Sequence, residues 1–174
     1  MWFFTGKGDS GYTYLFDGSE VTKDNPTLDL IGTIDEVNAY IGLAISLIEQ
    51  PEIKKDLWKI QTTLSKVMGV IARASESAIK EFDIGESTEW LEDKTDFYSR
   101  ELNNPKSFTF PGKTTKGAAL DICRAVTRKM ERQAVRFLRE NPKIKKNILA
   151  YMNRLSSFFY VLRLLADKDA NASR

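Results

Sequence analysis

Apolar residues return every three or four positions over most of this chain, which is the period of a helix packed along one face. Over 27–49 the stripe is Leu30/Ile31, Ile34, Val37, Ile41, Ala44/Ile45 and Ile48. Pro51 restarts the chain as proline does in a first helical turn, and Ile53, Leu57, Ile60, Leu64, Val67, Ile71, Ala74 and Ala78 follow. Residues 79–86, with Gly85, are expected to end that helix, and Ser87 to cap a third one carrying Trp90, Leu91, Lys94, Phe97, Tyr98 and Leu102. Asn103-Asn104-Pro105 stops it. Thr114 or Thr115 is placed to cap a fourth helix, which Asn141-Pro142 ends. A fifth, over about 144–166, turns Ile148, Tyr151/Met152, Leu155, Phe158/Phe159, Leu162 and Leu165 inward. Residues 167–174 read as a polar tail. Residues 1–26 are the one part without helical periodicity, and no segment is β-rich for long enough to build a sheet. The pattern predicts an all-α antiparallel five-helix bundle in a single domain, 1–174, with an N-terminal arm (1–26), a helical body (27–166) and a tail.

Totals sharpen this picture mainly by exclusion. An apolar share of 42% and a charged share of 29% in 174 residues are those of a soluble globular domain. A net charge of +2 gives no bulk attraction to nucleic acid. The absence of histidine removes His-based triads, His-ligated zinc and the Glu-x-x-His di-iron signature of helical bundles. A single cysteine cannot make an intramolecular disulfide and fits a reducing compartment, so a cytoplasmic location is expected. No apolar run is expected to reach membrane-spanning length, and the N-terminus lacks the charged n-region of a signal peptide.

The charge that is present is concentrated. In Cys123-Arg124-Ala125-Val126-Thr127-Arg128-Lys129-Met130-Glu131-Arg132, residues four apart share a face, so Arg124, Arg128 and Arg132 form a ladder beside Glu131. Ile122, Cys123, Val126, Met130 and Phe137 are expected on the opposite, buried side. Guanidinium forks match phosphate oxygens two at a time, which suits a polyphosphate, although such a stripe is also what a plain solvated face looks like. Gly6-Lys7-Gly8-Asp9-Ser10-Gly11 matches G-x-G-x-x-G literally, but no strand-to-helix context follows, so a dinucleotide fold is rejected. As a glycine-rich loop it can still offer backbone N–H groups to an anion, with Thr5, Lys7, Asp9 and Thr13 alongside. Gly112-Lys113-Thr114 looks like the end of a phosphate-binding P-loop, yet Ser107 stands where that loop needs glycine.

Five segments, in order, resemble one family, the PduO-type ATP:cob(I)alamin adenosyltransferases. Gly8-Asp9-Ser10-Gly11-Tyr12-Thr13 is similar to its T-G-D-x-G-x-T segment, and Gly32-Thr33-Ile34-Asp35-Glu36-Val37-Asn38 to its G-x-x-D-E-L-N. Phe108-Thr109-Phe110-Pro111-Gly112 resembles F-x-x-P-G, the arginine segment resembles A-R-x-x-x-R-R-x-E-R, and Tyr151-Met152-Asn153-Arg154-Leu155-Ser156 resembles Y-L-N-R-L-S. Lys129 stands where the family has its second arginine, Asp121 where histidine is common, and Lys7 where threonine is usual.

The resemblance implies a homotrimer of five-helix bundles with sites between subunits. The implied reaction transfers the 5′-deoxyadenosyl group of MgATP to the cobalt of cob(I)alamin and releases triphosphate. A reductase or a cobalamin-dependent enzyme is an implied partner. By the same resemblance Thr5, Gly6, Lys7, Gly8, Asp9, Gly11, Thr13 and Lys23 close over ATP. Arg124, Arg128, Glu131, Asn153 and Ser156 hold ATP and Mg²⁺, with Glu131 as the Mg²⁺ contact. Asp35 pairs with Arg124 across the interface, and Phe108 keeps the lower axial position of cobalt free. No histidine, serine or cysteine nucleophile is needed, because reduced cobalt is itself the nucleophile. A non-catalytic ATP- or cobalamin-binding bundle and a plain helical interaction module are the alternatives.

Overall fold

The computed structural model describes residues 6–73, 83–103, 105, 108–142, 144 and 147–172. A short antiparallel hairpin comes first, β1 (Tyr12–Tyr14) and β2 (Glu20–Thr22), with Thr13 opposite Val21. Among the described residues five helices follow: α1 (Pro26–Leu47), α2 (Pro51–Ile71), α3 (Gly85–Ser99), α4 (Thr115–Glu140) and α5 (Asn147–Ala172). The helical bundle is the one the periodicity predicts. The hairpin corrects the expectation that no sheet would form. Its strands are three residues each, too short to leave a period-2 pattern, and it is held by docking: Leu15 is buried, and the Phe16 amide donates to the Ala72 carbonyl at 3.0 Å.

Each helix boundary has a local cause. Asn25 caps α1 by accepting from the Thr27 amide, with Pro26 in the first turn. α2 ends at Ile71, where Arg73 takes a left-handed backbone (φ 58°); Ala74 and Ala78, expected on this helix, lie outside the described residues. α3 opens at Gly85, three residues before the first helical position that a Ser87 cap implies. The exposed Asp83 carboxylate accepts the Gly85 amide (2.9 Å) and so satisfies one of the first unpaired N–H groups. Thr114 caps α4 as expected, accepting from the Gly117 amide at 2.9 Å. α5 runs to Ala172, past the expected tail boundary at 167, because Asp167 is buried against Arg163 one turn away.

The helices form a ring in the order α1, α2, α3, α5, α4. A ring of five cannot alternate direction everywhere, so one neighbouring pair must be parallel. That pair is α3 and α5: Arg154 bonds Glu92, and further along both helices Lys168 reaches the Glu101 carbonyl. α4 and α5 are antiparallel, since Thr114 meets Asp167 while Asn153 meets Glu131. Inside the ring Leu30, Ile34, Val37, Ile41, Leu57, Ile60, Leu64, Tyr151, Phe158 and Phe159 have no exposed surface. Each such aliphatic or phenyl side chain contributes about 1.5–3 kcal/mol of burial free energy. Between α2 and α3 the buried Asp56 accepts from Tyr98 (2.8 Å) and pairs with Lys94 (2.9 Å). By length and composition α1 is apolar enough to cross a membrane, contrary to the expectation that no run reaches that length. Its Leu30–Ile41 stripe is nonetheless the face packed on α2 and α4.

On α4 the buried side is Cys123, Thr127, Met130, Ala134 and Phe137. Ile122, expected there, is exposed, because the stripe is centred one residue further on; Val126 is half-buried. Burial pushes the Cys123 thiol up to about 12, so it is a core group and no nucleophile.

Candidate functional site

The arm is a glycine-rich turn laid against its own hairpin. Gly6, Gly8 and Gly11 have φ between 69° and 96°. At Gly8 the requirement is double, since a Cβ there would stand 3.1 Å from Cε and Nζ of Lys23 as well as demanding a strained backbone. Lys23 therefore lies over the glycine turn, and its amide donates to the Gly11 carbonyl (2.9 Å). Lys7, Asp9 and Thr13 belong to the same turn and strand; Thr5 lies outside the described residues. Asp17 anchors the arm to the body through Arg73 (3.2 Å), and two hydrogen bonds from Ser19 hold its carboxyl down to about 2.

α4 presents the arginine ladder to solvent. Arg124 is half-buried and bonds Asp121 through two nitrogens, Nε at 2.8 Å and Nη2 at 3.3 Å, which raises its already high pKa. Among the described residues its Nη1 has no acceptor. Arg128 is exposed, with no ion pair among the described residues. Lys129, by contrast, is tied to Glu36 of α1 at 2.9 Å. Asp35 is exposed and lies about one and a half turns along the bundle from Arg124, so within one chain the two do not meet.

Next to the ladder the structure brings three further sequence-predicted residues together. Glu131 accepts from Asn153 Nδ2 (3.0 Å), and Asn153 Oδ1 accepts from Arg154, itself bound to Glu92 (2.6 Å). Ser156 is buried and gives its hydroxyl to the Asn153 carbonyl at 2.9 Å. Among the described residues no cluster of three or more His, Cys, Asp or Glu side chains could hold a metal ion. Glu131 alone nevertheless fits Mg²⁺, which takes one or two carboxylates and draws its other ligands from water and substrate phosphates.

Phe108 is not near this cluster. It sits in the loop before α4, 80% exposed, with Phe110 edge-on at 5.2 Å and equally open. The loop borders a cleft of about 740 Å³ reaching Glu101, Arg163 and Lys168. Thr114, at its end, is about 25 Å from Glu131 along α4 at 1.5 Å per residue. The arm is at the other end of the bundle altogether, docked on the C-terminus of α2.

The chain as a whole is similar to known proteins. A model of the family described as cobalamin adenosyltransferase matches residues 3–166. The chain belongs to this family. The corrinoid adenosyltransferase of Bacillus subtilis is 35% identical over 165 residues, covering 92% of this chain and 83% of that protein. The corrinoid adenosyltransferase MMAB of Bos taurus is 33% identical, with 98% and 74% covered. A variant PduO-type ATP:corrinoid adenosyltransferase from Lactobacillus reuteri, solved with cobalamin and ATP, superposes with a TM-score of 0.88 at 30% identity and covers 96% of this chain.

Seen as a family member, the chain holds one element that its sequence motifs do not include. Arg163 is 2% exposed; it donates to Thr109 Oγ1 (2.7 Å) and to the Phe110 carbonyl, and lies 3.1 Å from Asp167. The signal in the sequence was an Arg and an Asp four apart inside the apolar run around Leu162, Leu164 and Leu165. Chemically, the surface offers a glycine turn with a lysine, a guanidinium ladder with an amide and a carboxylate beside it, and a separate pair of exposed aromatics. The first two suit a nucleotide triphosphate, and the third suits a flat apolar ligand.

Proposed function

We propose that this protein transfers the 5′-deoxyadenosyl group of MgATP to cob(I)alamin, giving adenosylcobalamin and triphosphate. The observation that carries the reading is the solvent-facing Arg124–Arg128 ladder with Glu131 and Asn153 at its side, in a chain of the cobalamin adenosyltransferase family. The electron pair of Co(I) attacks C5′, the C5′–O bond breaks, and that bond's electrons leave on the triphosphate. No protein nucleophile takes part. The protein has two tasks: to align C5′ with cobalt, and to balance charge as it grows on the leaving oxygen.

The second task falls to Arg124 and Arg128, with Asn153 and Ser156 as uncharged donors. Glu131 would hold Mg²⁺ together with the phosphates, and the ion would supply further positive charge. The arm at Thr5–Thr13, with Lys23, closes over the nucleotide. Phe108 lies against the lower face of the corrin and keeps water and the ligand's own base off cobalt, which favours the reduced metal. The arm and Phe108 sit at opposite ends of one bundle, which supports sites assembled between neighbouring subunits of a homotrimer. There Asp35 of one chain takes the free Nη1 of Arg124 in the next. A reductase or a cobalamin-dependent enzyme is the partner, and the reaction runs in the cytoplasm, in keeping with a single buried thiol.

An anaerobic spectral assay with chemically reduced cobalamin and MgATP tests this. Loss of cob(I)alamin and growth of a light-sensitive Co–C product are expected, and both should vanish with Arg128→Ala. Saturable ATP binding without product would instead make the bundle a non-catalytic binder.

A further inference from the structure

We propose that Arg163 is a positioning residue for this reaction: from inside the bundle it fixes the loop that carries Phe108. The proposal rests on the function just described, and its test separates the two. Residues 108–113 have little else to hold them. Phe108 and Phe110 are exposed, and among the described residues no backbone–backbone hydrogen bond is made by 108–113. Among the described residues the side-chain hydrogen bonds to 108–113 converge on one guanidinium. Arg163 Nη1 donates to Thr109 Oγ1 at 2.7 Å and lies 3.5 Å from the Thr109 carbonyl; Nη2 reaches the carbonyls of Thr109 (3.5 Å) and Phe110. These acceptors sit on the two residues that follow Phe108 directly.

The guanidinium is itself held. Asp167 stands 3.1 Å from Arg163 Nε, and its other oxygen accepts from Thr114 at 3.2 Å. Thr114 is the cap of α4, and Gly117 leaves room for the arrangement, since a Cβ there would fall 2.4 Å from Asp167 Oδ1. The Phe108 loop is thus referenced to the N-terminus of α4, the helix that carries Arg124 and Arg128. Burying a guanidinium at 2% exposure for stability alone is poor economy, because an apolar side chain of that volume packs at no desolvation cost. A planar fork with five donors is, however, well suited to holding several loop acceptors at one height. An aromatic ring that must exclude a ligand from a metal face tolerates little displacement, and a shift near 1 Å is enough to cost much of a rate.

The test uses the full-length protein and three variants, Arg163→Met, Arg163→Lys and Thr109→Val. With Arg163→Met, turnover should fall about 10–100-fold while KM for MgATP stays within about twofold. The electron paramagnetic resonance spectrum of bound cob(II)alamin should then show a lower axial ligand that the wild type lacks. Amide exchange at 108–113 should quicken without change in α2. Arg163→Lys should recover part of the turnover, as a point charge replaces part of the fork. Thr109→Val removes one acceptor without touching a buried charge; it should lose turnover several-fold, and it decides the matter if Arg163→Met does not fold. Unchanged turnover in Thr109→Val and Arg163→Lys, or a loss matched by an equal rise in KM with an unaltered cob(II)alamin spectrum, overturns the role of Arg163. A wild-type protein that forms no Co–C product overturns the function itself, and normal product with indifferent variants overturns only this inference.

Discussion

Two arginine clusters lie on the same pair of helices, and they differ in nearly everything but residue type. At the N-terminal end of α4, Arg163 and Asp167 are 2% and 7% exposed as side chains and surrounded by in-chain partners. About three to five turns along, Arg124 is half-buried with one nitrogen to spare, Arg128 is open to solvent, and Glu131 is bridged to Asn153. A charge taken out of water must have its partners built in, or the fold does not tolerate it. A charge left in water is free to change partners, and only such a charge can bind an anion that comes and goes. The comparison therefore assigns the first cluster to architecture and loop placement and the second to ligand.

The largest effect that can break this assignment is Asp167→Ala. It leaves the Arg163 guanidinium buried without its carboxylate and takes one partner from Thr114. A loss of about 3–5 kcal/mol is expected, or roughly 10 °C in thermal midpoint for a chain of this size. Arg128→Ala should do the reverse. Stability should change by no more than about 0.5 kcal/mol, as at other exposed sites. Turnover should fall about 10²–10³-fold, the usual cost of deleting one donor to a developing negative charge. Thermal melting and the adenosylation assay on both variants read the two columns of the comparison. Similar stability losses in the two would dissolve it.

The same contrast marks what the chain discloses before it folds. The exposed cluster was legible because i,i+4 spacing puts Arg124 and Arg128 on one face whatever surrounds the helix, and Thr114 announced itself as a cap by its place before an apolar period. The bundle was legible for the same reason. The buried clamp was not, since its meaning depends on a loop fifty residues earlier in the chain: Thr109 and Arg163 meet only in the fold. Asp167 reads as tail because the apolar stripe stops there, although its partner lies one turn back. The hairpin leaves no signal for want of length, and the start of α3 is hidden because glycine reads as a terminator, although the Asp83 carboxylate accepts the Gly85 amide. Local periodicity carries elements and exposed faces. Long-range polar pairing, which decides where loops sit, is invisible to it.

A smaller effect sharpens the architectural side. Gly117→Ala adds helix propensity worth about 1 kcal/mol, and at most helical glycines that would stabilise. Here the new methyl meets Asp167 Oδ1 at 2.4 Å and Thr114 Oγ1 at 2.7 Å, both held by the clamp. Overpacking of this kind costs about 1–3 kcal/mol, so the net change should be a loss, measured as a lower denaturation midpoint. A gain would mean that the cap and Asp167 shift easily, and that the clamp is looser than its hydrogen bonds imply.

Lys129 is the case that falls between the clusters, and it gives the smallest and finest test. It is exposed like Arg128 yet paired like Arg163, with its ammonium 2.9 Å from Glu36 and side-chain exposures of 50% and 39%. An ion pair so open to water contributes about 0–1 kcal/mol, so Lys129→Met should lower stability by no more than that. If exposure alone marked the binding residues, removing Lys129 should raise KM for MgATP about as much as removing Arg128. If a settled partner is what withdraws a charge from binding, KM should stay within about twofold, and Glu36→Gln, by releasing the ammonium, should lower it. The second pattern is expected, because Glu36 belongs to the same bundle and holds the lysine whether or not nucleotide is present. A steep rise in KM for Lys129→Met would place the lysine on the phosphates and make solvent access, rather than pairing, the property that distinguishes the two clusters.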